Sequence, residues 1–103
     1  MNLTTLSKQI ETISALYASK NSFDRTDDWY ILKLTEELGE LTQAYLNLSG
    51  QSRHREDTSE SHRIKFEDEL ADVLGHVLLL AKHHDVDLES VIERKWLKWL
   101  PNN

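Results

Sequence analysis

Cysteine is missing from the chain altogether, which excludes disulfide staples, thiolate zinc sites and thiol nucleophiles. One proline and three glycines in 103 residues are too few for the turn-rich connections of a sandwich or barrel. Long apolar runs are missing too. The longest, Val77–Ala81, is far too short to cross a bilayer, and Met1–Lys20 alternates polar and apolar residues without the apolar stretch of a secretory leader. Positive charge is in deficit, with 12 Lys and Arg against 18 Asp and Glu and a net charge of −6. That balance disfavours nucleic acid as a partner, since phosphate-backbone binders present a basic face. The expectation is a cytoplasmic protein with no membrane segment.

What is present suits helices. Charged residues make up 29% of the chain, and Leu, Glu and Lys abound. The length fits a single domain, 1–103, with one small core. Leu6, Ile10, Ile13, Leu16 and Tyr17 recur at helical spacing, with Thr4 or Thr5 as N-cap. After a polar break over 20–28, capping oxygens on Thr26, Asp27 and Asp28 precede a second helix from about Asp28 to about Leu48. Its expected core stripe is Ile31, Leu34, Leu38, Leu41, Tyr45 and Leu48. Residues 49–63 read as an exposed loop carrying Arg53, Arg55 and Arg63. A third helix follows over roughly Ile64–His83, with Phe66, Leu70, Val73, Leu74, Val77, Leu78 and Ala81 facing inward. Asp87 is placed to cap a fourth helix from Leu88 to about Leu100, with Pro101 just past its end. No internal repeat is apparent. The fold class expected is all-α with four helices, completed by oligomerisation, because helices with two apolar faces in so short a chain have few ways to bury them alone.

Two acidic clusters stand out, Glu36-Glu37-Leu38-Gly39-Glu40 and Glu69-Leu70-Ala71-Asp72. At about 100° per residue, Glu36 and Glu40 lie roughly 40° apart, and Glu37 and Glu40 roughly 60° apart. Glu69 and Asp72 are also roughly 60° apart, and His76 continues their line one turn later. Antiparallel packing of helices two and three through their leucines would bring the two acidic faces together along one edge of the seam. One such cluster alone is usually a solvated face, with Glu40 paired to a cation such as Lys33. Two on neighbouring helices repel unless a cation sits between them, and carboxylate donors without cysteine favour Mg²⁺, or Mn²⁺, over zinc.

Lys33-Leu34-Thr35-Glu36-Glu37-Leu38-Gly39-Glu40-Leu41 followed by Glu69-Leu70-Ala71-Asp72-Val73-Leu74 resembles the EExxE…ExxD signature of the MazG-type all-α nucleoside triphosphate pyrophosphohydrolases, and the similarity extends through Asp87-Leu88-Glu89 to Lys95. The resemblance implies Mg²⁺-dependent hydrolysis of a nucleotide between its α and β phosphates, releasing a monophosphate and pyrophosphate as nucleotide-pool housekeeping. It implies Glu37, Glu40, Glu69 and Asp72 as metal ligands, and Glu36 as a further ligand or the group that orients the attacking water, with the choice of base between Glu36 and Glu37 left open. It implies a homodimer or homotetramer with active sites near the subunit contact, and a role for Lys95 at the phosphates, with Lys98 assisting. Charge neutralisation and in-line positioning, which phosphoryl transfer needs, are what carboxylate-held metals supply.

Other side chains have two readings each. Lys33 either bridges to the carboxylates or reaches a phosphate, and Lys95 and Lys98 either grip phosphates or simply suit a helix C-terminus. His76 contacts phosphate or is a hydrogen-bonded residue at the core's edge. Trp29, Trp96 and Trp99 stack on a base or anchor a core or an interface, with subunit contact the first choice for the last two. The chain departs from the family pattern at Asp85, where relatives often have a glycine ending helix three. Two other functions compete: a phosphoribosyl-ATP pyrophosphohydrolase of histidine biosynthesis, suggested by Asp72-Val73-Leu74-Gly75-His76, and a non-catalytic helical oligomerisation or binding module.

Overall fold

A computed structural model describes residues 2–51 and 58–101. They form α1 (Leu3–Lys20), α2 (Asp27–Leu48), α3 (Ser59–His83), α4 (Leu88–Lys95) and a 3₁₀ turn over Leu97–Trp99. No strand occurs among the described residues, so the fold is all-α with four helices, as expected. Arg53 and Arg55, expected in the loop, lie outside the described residues.

Side-chain oxygens start each helix. Asn2, not Thr4 or Thr5, caps α1 by accepting from the Thr5 amide at 2.8 Å. Thr26 and Asp87 cap α2 and α4, taking the amides of Trp29 and Ser90. Thr58 accepts from the Ser61 amide at 3.1 Å and its carbonyl receives the His62 amide. This cap starts α3 at Ser59, before the expected Ile64, so 59–63 are helix rather than loop. The cap and Glu60 near the positive end of the dipole hold an apolar-poor first turn. The last helix also departs from expectation: α4 stops at Lys95, and the remainder tightens into the 3₁₀ turn.

Three helices end alike. The amides of Phe23, Gln51 and Val86 reach back to the carbonyls of Ala18, Leu46 and Ala81, while Ser22, Gly50 and Asp85 adopt positive φ of 57°, 77° and 54°. This is the Schellman arrangement, which glycine fits best because a Cβ crowds the left-handed region. Only α2 has the glycine. The strain expected at Asp85 is there, and Ser22 repeats it.

Two compact units divide the chain. The first contains residues 1–24 and 78–103, with Ala18, Leu78 and Leu79 buried. Ile13, Leu16 and Tyr17, expected as core of α1, are exposed, as are Trp96, Leu97, Trp99 and Leu100. The second unit is Arg25–Val77, which holds α2 and α3 up to Val77. Within it Trp29 meets His76 at 5.9 Å and Tyr45 meets Phe66 at 6.3 Å between ring centroids. Advancing along one helix means retreating along the other, so these two segments run antiparallel.

The seam between them is not the expected leucine stripe. On α2 the buried residues are Tyr30, Glu37 and Ala44, one heptad apart, while Ile31, Leu38 and Tyr45 are about half exposed. Each of those three lies one residue on, about 100° round the helix. Leu34, Leu41 and Leu48 are half-buried between the two faces. On α3, Leu70 and Leu74 are likewise exposed, and Glu69 is buried.

Candidate metal centre

The centre is built from that seam. Glu37 is 7% exposed and Glu69 only 2%, so these carboxylates lie inside the packing, not along its edge as the leucine stripe had implied. Burying a carboxylate is unfavourable unless it is paired and hydrogen-bonded. Here one oxygen of each, Glu37 Oε2 and Glu69 Oε2, is buried with no partner in the protein. Glu40 joins them from the next turn of α2. One oxygen from each of Glu37, Glu40 and Glu69 can be chosen so that all lie within 4.8 Å of one another. Leucines at these spacings would give a drier and more stable seam. A donor set of clustered carboxylates with unpartnered oxygens fits a hard divalent cation.

Electrostatics record the crowding. The Glu37 carboxyl is pushed up from 4.5 to about 7, by burial first, then by the hydrogen-bonding approach and charge of Glu40 and by the charge of Asp72, against the pull of Lys33. Asp72 is raised as well, by burial and then by Glu69. It therefore shares the field of the cluster, although it is outside the group of three converging oxygens.

The remaining candidates take different places. Lys33 Nζ stands 3.2 Å from Glu36 Oε1 and 3.9 Å from Glu37 Oε1. Glu36 is exposed and pairs with that lysine, outside the converging group. His76 Nε2 is 3.9 Å from Glu37 Oε1, its Nδ1 is buried without a partner, and burial above all keeps its pKa below 6.5. Trp29 is half-buried, edge-on to both Tyr30 and His76. Lys95 closes α4 and Lys98 sits over the Trp99 ring at 5.3 Å, both in the unit that does not contain the carboxylates. Arg63, counted with the loop, is helical and pairs with Glu67 at 2.9 Å.

Lys65 was not among the sequence candidates. Its Nζ is 2.7 Å from Glu69 Oε1. The signal for it is a short repeat, Lys33-x₃-Glu37-x₂-Glu40 on α2 and Lys65-x₃-Glu69-x₂-Asp72 on α3. An open cleft of about 290 Å³ adjoins the cluster, lined by Glu40, Gln43, Ala44, Asn47, Lys65 and Glu69. On its α2 wall Gln43 Nε2 donates to Asn47 Oδ1 at 3.2 Å, one turn along the helix.

An all-α protein with carboxylates from two antiparallel helical segments converging in a buried seam is thus defined by fold and site. The family model for the MazG nucleotide pyrophosphohydrolase domain matches residues 25–99, and the chain belongs to that family. The family's general activity is nucleotide pyrophosphohydrolysis, and its members typically depend on a divalent metal. No curated protein and no solved structure matches the chain. No helix among the described residues is long and apolar enough to cross a membrane.

Proposed function

We propose that the protein is a Mg²⁺-dependent nucleoside triphosphate pyrophosphohydrolase, hydrolysing an NTP or dNTP to its monophosphate and pyrophosphate in the cytoplasm. The observation that carries this is the pair of buried carboxylates, Glu37 and Glu69, each with an unpartnered oxygen, joined by Glu40 in one group. Glu37, Glu40, Glu69 and Asp72 would hold the metal. When bound, it supplies neutralisation of phosphate charge and polarisation at the reacting phosphorus; Mn²⁺ suits the same donors. Glu37, protonated up to about pH 7 in the metal-free protein, becomes an acceptor once its proton leaves. Glu36, its exposed neighbour in sequence, serves as a further ligand, or one of Glu36 and Glu37 orients the attacking water. Lys33 and His76 flank Glu37 and serve the substrate's phosphates; Lys95 and Lys98, in the other unit, remain the phosphate-binding residues that the resemblance implies.

The active form is a homodimer or homotetramer. On α2, Ile31, Thr35, Leu38, Thr42 and Tyr45 make one continuous exposed stripe. Thr35 and Thr42 donate their hydroxyls to the carbonyls of Ile31 and Leu38 at 3.0 and 2.9 Å. The stripe therefore offers apolar side chains and methyls with its hydroxyl donors already satisfied, which suits close helix packing against a second copy.

The test is a substrate panel of NTPs, dNTPs and phosphoribosyl-ATP with Mg²⁺, scored for monophosphate and pyrophosphate. Turnover of nucleoside triphosphates is the expected result. The proximity of His76 to Glu37 keeps the phosphoribosyl-ATP reading in play, and turnover of that substrate alone would establish it. No turnover of any substrate would favour a non-catalytic oligomerisation or binding module.

A further inference from the structure

The repeat on α2 and α3 places a lysine four residues before each buried glutamate, yet the two lysines are differently used. Lys33 is shared with the exposed Glu36 and stays 3.9 Å from Glu37. Lys65 reaches Glu69 directly, at 2.7 Å, lines one cleft with Glu40 and Glu69, and feels the charges of Glu40 and Asp72. Its charge thus acts on three of the four proposed ligands, in contact with one of them. Helix stabilisation is a poor explanation for it, because lysine before glutamate is the weaker order for an i,i+4 pair. The glutamate it meets is also 2% exposed, where a carboxylate without a counter-charge is strongly disfavoured.

We propose that Lys65 is the site's built-in counter-cation: its ammonium group neutralises Glu69 in the metal-free protein and competes with the divalent cation for that carboxylate, so it sets the cation affinity. This rests on reading the carboxylates as a cation site. A divalent ion and an ammonium group on one carboxylate repel each other, so the lysine must yield when the ion enters. Its side chain is 65% exposed against 3% for that of Glu69. The long stem swings into water readily, while the glutamate stays in the seam. The arrangement keeps an acidic seam packed when no metal is present and leaves a positive group beside the cleft when it is.

Calorimetric titration of the metal-stripped protein with Mn²⁺ and with Mg²⁺, without nucleotide, tests this. Lys65→Met binds either cation about fivefold more tightly than wild type, the scale of one exposed ion pair. Lys65→Arg, which keeps the charge, stays near wild type. Arg63→Met removes the same charge from the same helix at a residue paired with Glu67, and it also stays near wild type. Lys65→Gln replaces the Met variant if that one fails to fold. Unchanged or weaker binding by the uncharged Lys65 variants overturns the proposal, as does equal tightening in Arg63→Met. A wild-type protein that takes up neither cation overturns the cation-site reading and this inference with it.

Discussion

Glu37 is where the physical cost of the site is most concentrated. Its carboxyl is raised from 4.5 to about 7, so between those values the folded state holds a proton that the unfolded chain has released. Its contribution to stability is therefore fully present below pH 4.5 and is lost as pH rises through about 7. In urea unfolding with a chelator present, metal-free protein is expected to be less stable at pH 7.5 than at pH 5. Glu37→Gln is expected to flatten that slope, and Mg²⁺ to oppose it by favouring the ionised form. A slope of the opposite sign would contradict the assignment. The reaction has its own residue-level prediction: Glu40→Gln and Asp72→Asn each lower turnover by about 10²-fold or more while the far-UV circular dichroism stays that of wild type. Wild-type turnover in either would remove that residue from the metal set. Asp85 concerns stability alone. At φ 54° it occupies a left-handed C′ position that glycine takes without a Cβ clash, so Asp85→Gly should stabilise by roughly 0.5–1 kcal/mol. Thermal unfolding measures it, and a fall in Tm would contradict it.

At the level of the helices, period-3.6 patterning was enough to place all four, because each carries apolar residues at three- and four-residue spacing. It failed where polar chemistry decides the boundary. The first turn of α3 has no apolar residue before Ile64 and depends on the Thr58 cap, and the stop of α4 at Lys95 has no glycine to announce it. It also misplaced the buried face of α2. Ile31, Leu38 and Tyr45 look like core by hydropathy, whereas the positions actually buried are the residues just before them, Tyr30, Glu37 and Ala44. Periodicity counts apolar side chains and so cannot detect a seam that buries carboxylates. The acidic spacing and the family resemblance identified Glu37, Glu40 and Glu69 as neighbours, which the geometry joins in one group. Lys65 escaped because an exposed lysine one turn from a glutamate is common on any helix, and only the burial of Glu69 makes this pair unusual. The two-faced character of α2 leads to a direct expectation. Leu38→Glu, alone or with Tyr45→Glu, should shift the sedimentation coefficient to that of a monomer while helicity is kept. An assembly unchanged by both substitutions would rule out that stripe as the contact.

For the molecule as a whole, composition and function are linked through the same residues. A chain without cysteine, with a net charge of −6, has carboxylates as its plentiful metal donors, and it buries two of them between helices where leucines would give greater stability. In the proposed function a cation bound only by the folded state repays that arrangement, stabilising it by mass action. The central claim is that Glu37, Glu40 and Glu69 converge on one divalent ion. Anomalous diffraction from crystals grown with Mn²⁺ tests it most directly. The account predicts a peak within about 2.0–2.2 Å of carboxylate oxygens from all three residues. A well-ordered crystal with no peak in that seam, or with its peak on other side chains, would contradict it.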